Sequence, residues 1–216
     1  MNALEVRAAV SDMPPLLRAV VIERFAASDL AYHNASHIAH MLDGLDRWFA
    51  AELTARDERI LRYAIWLHDL FYDVEASDNE RRSADIGLAL LRWPEDELRE
   101  LEACIMATKG HAAGDRLPAL LVDLDLSILA AEREGYRRYA LAIRDEYRRY
   151  PDATYRAGRV RILGALKEAP LLARLSRAMG LTETALEAQA RANLEWEIAR
   201  LSSAAATVEE ALADDH

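Results

Sequence analysis

The chain has 216 residues, 52% of them hydrophobic and 30% charged, with a formal net charge of −10 at pH 7. That length can bury a full core as a single domain, and the acidic balance excludes general binding to nucleic acid or to anionic membranes, which needs a basic surface. The single cysteine, Cys104, excludes an internal disulfide and fits a reducing compartment. No stretch approaches the roughly 18 apolar residues of a spanning helix, and MNALEVRAAVSDMPPLL lacks the basic start and apolar run of a signal peptide. The expectation is a cytoplasmic protein.

With only eight glycines and six prolines among many Ala, Leu, Glu and Arg, the chain favours an all-α fold. A first helix follows Pro14-Pro15, prolines suited to a first turn, and runs to about Ala27. The second begins at Asn34, a good N-cap, and carries Ile38, Met41, Leu42, Leu45, Trp48 and Phe49 on one stripe. The third follows Thr54, with Asp57 as a capping-box partner, and reaches about Phe71. After the loop YDVEASD a fourth helix covers about 79 to 92, ending before Pro94. The fifth runs from Glu95 to Thr108 and stops at Gly110, and the sixth starts at Pro118.

Two Arg- and Tyr-rich helices follow, separated by Pro151 with Asp152 as the next cap. A short helix ends at Gly180, and a long one runs from about Thr182. The tail TVEEALADDH is expected to fray, and nothing is read into His216. The pattern amounts to about nine or ten helices in one domain over 1–216.

Three stretches carry chemistry. AYHNASHIAHML, residues 31–42, holds His33, His37 and His40. AIWLHDLFYD, residues 64–73, places His68-Asp69 at the end of an otherwise apolar helix. LLVDLDLSIL, residues 120–129, interrupts another apolar helix with Asp123 and Asp125. Carboxylates are rarely buried unless paired or bound to a metal, so one shared cation would offset the interruptions in both helices. Each feature has a bland counterpart: a helix-start histidine can be a cap, and either Asp can mark the wetter side of its helix.

Taken in order, these residues resemble the HD phosphohydrolase superfamily, in which a His, an adjacent His-Asp and a later Asp on separate helices bind a divalent metal. YHNASH is similar to the YHNxxH start of the related cyclic-nucleotide phosphodiesterases, and DLS at 125–127 to the segment holding their last metal-ligand Asp. The likeness spans about residues 30–165 and is greatest to a bacterial group of HD phosphohydrolases of unassigned substrate. It implies an HD-domain helical bundle with a core at about 30–165 and a helical extension at about 166–216. It further implies His37, His68, Asp69 and Asp125 as metal ligands and His33 as the acid that protonates the leaving group. Asp73 stands where the phosphodiesterases have another His, and their nucleotide-selectivity features are not recognisable, so cyclic-nucleotide cleavage does not follow.

Two imidazoles and two carboxylates suit Mn, Fe, Co, Ni or Zn better than Mg, with Asp69 able to bridge to a second metal. Asp123 and Asp125 are about 200° apart on a helix, so only one faces the site. Glu80, in SDNERRSA, either orients the attacking water or is a favourable first-turn carboxylate. Lys109 and His111, in ATKGH, either contact substrate phosphate or a second metal, or answer the helix dipole. Arg144 and Arg159, each beside apolar residues, offer an inward anion clamp or pair with nearby acids. The resulting expectation is a phosphohydrolase acting on a small phosphorylated substrate, a nucleotide among the candidates; a homodimer is compatible with it. The rival readings are a di-iron HD-fold oxygenase, which needs extra histidines such as His111, and a non-catalytic helical binding module.

Overall fold

In the computed structural model, which describes residues 1–26, 29–111, 116–182, 184–203 and 207–213, helix starts follow their caps. Asn2 caps α1 (Ala3–Ala9) with a capping box completed by Glu5. Asn34 Oδ1 accepts the Ser36 N–H at 2.7 Å and opens α3 (Ala35–Gly44), after α2 (Pro15–Ala26). Thr54 Oγ1 accepts the Asp57 N–H at 3.2 Å and opens α4 (Ala55–Leu67). The remaining helices up to Asp125 are α5 (Asn79–Leu90), α6 (Glu95–Ala107) and α7 (Arg116–Asp125). Beyond it come α8 (Arg133–Glu146), α9 (Asp152–Glu168), α10 (Ala173–Ala178), α11 (Ala185–Leu201) and α12 (Val208–Leu212). The described residues contain no strand, and no helix among them is long and apolar enough to cross a membrane. The expected first-helix end at Ala27, and His216, lie outside the described residues.

The fold is all-α, as the composition requires. Twelve α-helices among the described residues exceed the sequence count because two short terminal ones, α1 and α12, carry little periodic signal. The α12 helix lies in the tail expected to fray. A Thr207–Glu210 capping box starts it, and Val208, Ala211 and Leu212 are buried. The expected continuation of α4 to Phe71 stops at Leu67. The Phe71 N–H is diverted to Ser83 Oγ at 2.9 Å, so no helical carbonyl receives it. Apolar Leu70 and Phe71 keep the helical pattern in sequence, which is why periodicity overruns.

The chain divides into two compact units, Met1–Asp125 and Leu126–His216. The first is cored by Leu17, Ile38, Met41, Ile65, Leu101 and Leu121, all without exposed surface. Asp57, buried at the start of α4, receives the Arg116 guanidinium from the first residue of α7, so the capping-box carboxylate serves as a tie between helices. Within the second unit, Glu197 on α11 is fully buried and receives Arg159 Nε at 2.8 Å and the Tyr136 hydroxyl at 2.6 Å. A buried carboxylate is tolerated when it is charge-paired and hydrogen-bonded in this way.

Two glycines set helix spacings next to chemically important positions. A Cβ on Gly44 of α3 would lie 2.9 Å from Leu124 Cδ2 of α7, and one on Gly87 of α5 would lie 2.7 Å from Leu67 Cδ1 of α4. Leu124 and Leu67 immediately precede Asp125 and His68. Alanine gains about 1 kcal/mol of helix propensity over glycine, whereas overpacking costs about 1–3 kcal/mol. Gly44→Ala and Gly87→Ala are each expected to lower the midpoint of thermal unfolding by about 2–4 °C, the shift that a net loss of about 1 kcal/mol gives at this size. A raised midpoint in both variants, read by circular dichroism melts, would show that the leucines repack freely.

Candidate metal centre

Each residue of the centre is placed by its own backbone. In the approach to α3, Asn34 Nδ2 donates to the Leu30 and Ala31 carbonyls at 2.9 and 3.1 Å while its Oδ1 caps the helix. Arg24 Nη2 donates to the His33 carbonyl at 3.0 Å. One turn on, His37 points into the core, 4% exposed. His68 caps the end of α4, 2% exposed, and its Nδ1 lies 2.9 Å from the Ile65 carbonyl oxygen. That acceptor requires a proton on Nδ1, which makes Nε2 the lone-pair atom of the neutral ring.

The lone-pair side of His68 meets the other donors. His68 Nε2 is 3.3 Å from His37 Nε2, 3.1 Å from Asp69 Oδ2 and 3.9 Å from Asp125 Oδ1. His37 Nε2 is 3.2 Å from Asp125 Oδ1. The donor atoms of His37, His68 and Asp69 all lie within 4.8 Å of one another, and Asp125 joins them through both histidines. Donors about 2.1 Å from a transition metal are about 3.0 Å apart at right angles and about 3.4 Å apart at tetrahedral angles. The 3.1, 3.2 and 3.3 Å separations fall in that range, while the 3.9 Å from His68 Nε2 to Asp125 Oδ1 is wider. Among the described residues, buried His37 Nδ1 has no hydrogen-bond partner.

Electrostatics point the same way. Burial opposes a charge on His68, yet the Asp69 and Asp125 carboxylates outweigh it and push the imidazole up to about 9. Burial would raise both carboxyls, but His68, His33 and His37 hold Asp69 far below the usual carboxylate range. Hydrogen bonds from His111 and His37, with the nearby His68, do the same for Asp125. Two half-buried carboxylates thus favour positive charge among them, which a proton or a metal cation can supply.

Of the other candidates, His33 stacks on Tyr72 with ring centroids 4.0 Å apart and stands 6.1 Å from the His37 ring. His111 Nε2 is 3.5 Å from Asp125 Oδ2. Gly110 before it has φ 73 and His111 itself φ 53, a left-handed pair that turns the imidazole back after α6. Lys109 Nζ donates to the Ser77 carbonyl at 2.9 Å. Glu80 is half-buried in the first turn of α5, His40 is exposed, and Asp123 is buried on α7.

Arg144 and Arg159 are both buried, in the second unit. Arg144 donates to Asp152 at 2.7 Å, to Glu209 at 3.2 Å and to the Tyr147 and Tyr150 carbonyls; Arg159 holds Glu197. Sequence reasoning missed Tyr72, Asn79 and Ser83, which shape the loop after Asp69. The only signal was the i, i+4 spacing of Asn79 and Ser83 on one helix face. Comparison with protein-family models, curated proteins and solved structures gives no match.

Removing one donor from a four-donor set should empty it. Wild-type protein is expected to carry roughly one equivalent of transition metal, and His68→Ala and Asp69→Ala to lose it, measured by elemental analysis. Asp125→Asn should do likewise while Asp123→Asn keeps its metal; the reverse outcome would exchange their assignments.

A pH prediction follows from His68. Its unfolded value is near 6.5 and its folded value about 9, so in metal-free protein its proton stabilises the fold fully below about pH 6.5 and that stability is lost as pH rises through about 9. Metal and proton compete for the same Nε2, so the rise in melting temperature on adding Mn²⁺ should be larger at pH 9 than at pH 6. A larger rise at pH 6 would contradict this.

Proposed function

We propose that this chain is an HD-type metal-dependent phosphohydrolase that cleaves a small phosphate ester, a nucleotide among the candidates. The observation that carries the reading is the pair of buried imidazole Nε2 atoms 3.3 Å apart with the Asp69 and Asp125 carboxylates beside them. His37, His68, Asp69 and Asp125 would hold a divalent transition ion, for which a mixed nitrogen and oxygen donor set is suited. When bound, such an ion supplies Lewis acidity toward a phosphoryl oxygen and a water acidified toward neutral pH.

The remaining roles fall to side chains outside that set. His33 is close enough to Asp69 to influence its ionisation, yet its ring faces Tyr72. It is assigned as the donor of the proton to the leaving oxygen. Glu80 is assigned to orient the attacking water, and Lys109 and His111 to contact phosphate. Arg144 and Arg159 are left out of phosphate binding because their guanidinium donors are already engaged by carboxylates and carbonyls of their own unit. A second reading, the di-iron oxygenase, draws on His111 beside Asp125 as a further nitrogen donor.

A panel of phosphomonoesters and diesters assayed with Mn, Co, Ni and Mg separates these. The proposal expects release of phosphate or product with at least one transition metal, abolished in Asp69→Ala. Oxygen uptake without hydrolysis would favour the oxygenase, and neither activity would favour a binding module.

Within the proposal, His33→Asn should keep its metal and lose roughly 10²- to 10⁴-fold in rate, the usual size of a general-acid contribution. The loss should shrink on nitrophenyl phosphates, whose leaving groups depart without a proton. Equal losses on good and poor leaving groups would show that His33 only positions substrate.

A further inference from the structure

The loop that follows Asp69 is held by α5 in an unusually complete way. Ser83 Oγ accepts the Phe71 N–H at 2.9 Å and donates to the Phe71 carbonyl at 3.1 Å. Two residues on, Asn79 Oδ1 accepts the Asp73 N–H at 3.1 Å while Asn79 Nδ2 donates to the Asp73 carbonyl at 2.9 Å. Both backbone groups of Phe71 and both of Asp73 are thus satisfied by two side chains of one helix. The spacing allows it: residues i and i+4 are about 6.0 Å apart along a helix axis, close to the roughly 6.6 Å between alternate residues of an extended chain. Ser83 is fully buried, and the Arg82 guanidinium lies 3.5 Å from the centre of the Phe71 ring, so the clamp is covered on that side.

Tyr72 is the residue between the two clamped positions. Its ring stacks on His33 with centroids 4.0 Å apart and planes 24° apart, while Tyr32 meets His33 edge-on at 5.1 Å and 84°. A stacked partner covers the face of an imidazole and leaves its edge, where both nitrogens lie, open to hydrogen bonding. His33 itself sits in the turn before α3, without a helical backbone of its own. A proton donor needs its ring held to within about 10–20° of the productive geometry, and a misplacement of about 1 Å costs about 10²-fold in rate.

We propose that Tyr72 is a positioning residue for His33, and that Asn79 and Ser83 form the rack that holds Tyr72 in place. The assignment of His33 as proton donor rests on the function proposed above; the rack and the stack rest on the contacts alone.

The test has two arms. In the first, zinc-loaded protein carrying labelled histidine is compared by NMR in wild type, Tyr72→Phe, Tyr72→Leu and the Asn79→Ala/Ser83→Ala double variant. The His33 signals are identified by their absence in His33→Asn. Ring current from Tyr72 should displace the His33 ring protons upfield in wild type and Tyr72→Phe, and Tyr72→Leu, which keeps apolar volume without a ring, should remove the displacement. The double variant should reduce it. His33 shifts that are the same in wild type and Tyr72→Leu would overturn the proposal.

In the second arm, Tyr72→Leu should retain metal and KM and lose about 10- to 10²-fold in kcat on poor leaving groups, with little loss on nitrophenyl phosphates; Tyr72→Phe should restore the rate. Because Tyr72 acts through His33, adding Tyr72→Leu to His33→Asn should cost nothing further. Additive losses would overturn it. A wild-type protein that hydrolyses nothing yet shows a shift dependent on Tyr72 and reduced in the double variant would support the stack and the rack and remove only the phosphohydrolase reading. Hydrolysis with shifts indifferent to Tyr72 would overturn the positioning role of Tyr72 and leave the phosphohydrolase reading in place.

Discussion

Two imidazole nitrogens held 3.3 Å apart in a buried position, with an aspartate oxygen beside each, either share a proton or turn both lone pairs toward one cation. With Nδ1 of His68 engaged by the Ile65 carbonyl, Nε2 turns its lone pair toward His37 and the carboxylates. Burial strengthens every repulsion as well as every attraction within such a cluster, and its two carboxylates favour positive charge among them. A proton on His68 meets the need in part; a cation with open coordination positions meets it fully and makes the cluster chemically useful.

The first unit reads as scaffolding for that cluster. The α3 and α7 helices approach closely at Gly44, and α4 and α5 at Gly87, each contact involving the leucine that precedes a donor residue. At the other end, the Arg116–Asp57 tie joins the starts of α7 and α4, the two helices that end at Asp125 and His68. Farther along, α5 grips the loop after Asp69 through Asn79 and Ser83. Helix packing distance, an ion pair and a backbone clamp thus act on neighbouring parts of one site.

Much of this was legible in the residues. Ionisable side chains interrupting apolar helices carry their own warning, since His68-Asp69 and Asp123/Asp125 would be costly in a plain core. Caps at Asn34 and Thr54 located two helix starts within a residue. The inward direction of Arg144 and Arg159 was likewise readable from their apolar neighbours, but their partners were not: Glu209 and Glu197 lie 65 and 38 residues away along the chain. Tyr72 was invisible for a related reason. A stacking partner in a loop has no periodicity, and the clamp that presents it depends on where α4 ends, a boundary that Leu70 and Phe71 disguise.

Everything above turns on whether His37, His68, Asp69 and Asp125 share one cation. Anomalous diffraction from crystals of the Mn- or Zn-loaded protein, collected at the metal's absorption edge, tests it most directly. One strong peak is expected about 2.0–2.2 Å from both Nε2 atoms and from one oxygen of each carboxylate. A loaded protein whose only anomalous peaks lie elsewhere, with His37 and His68 still face to face, would contradict it.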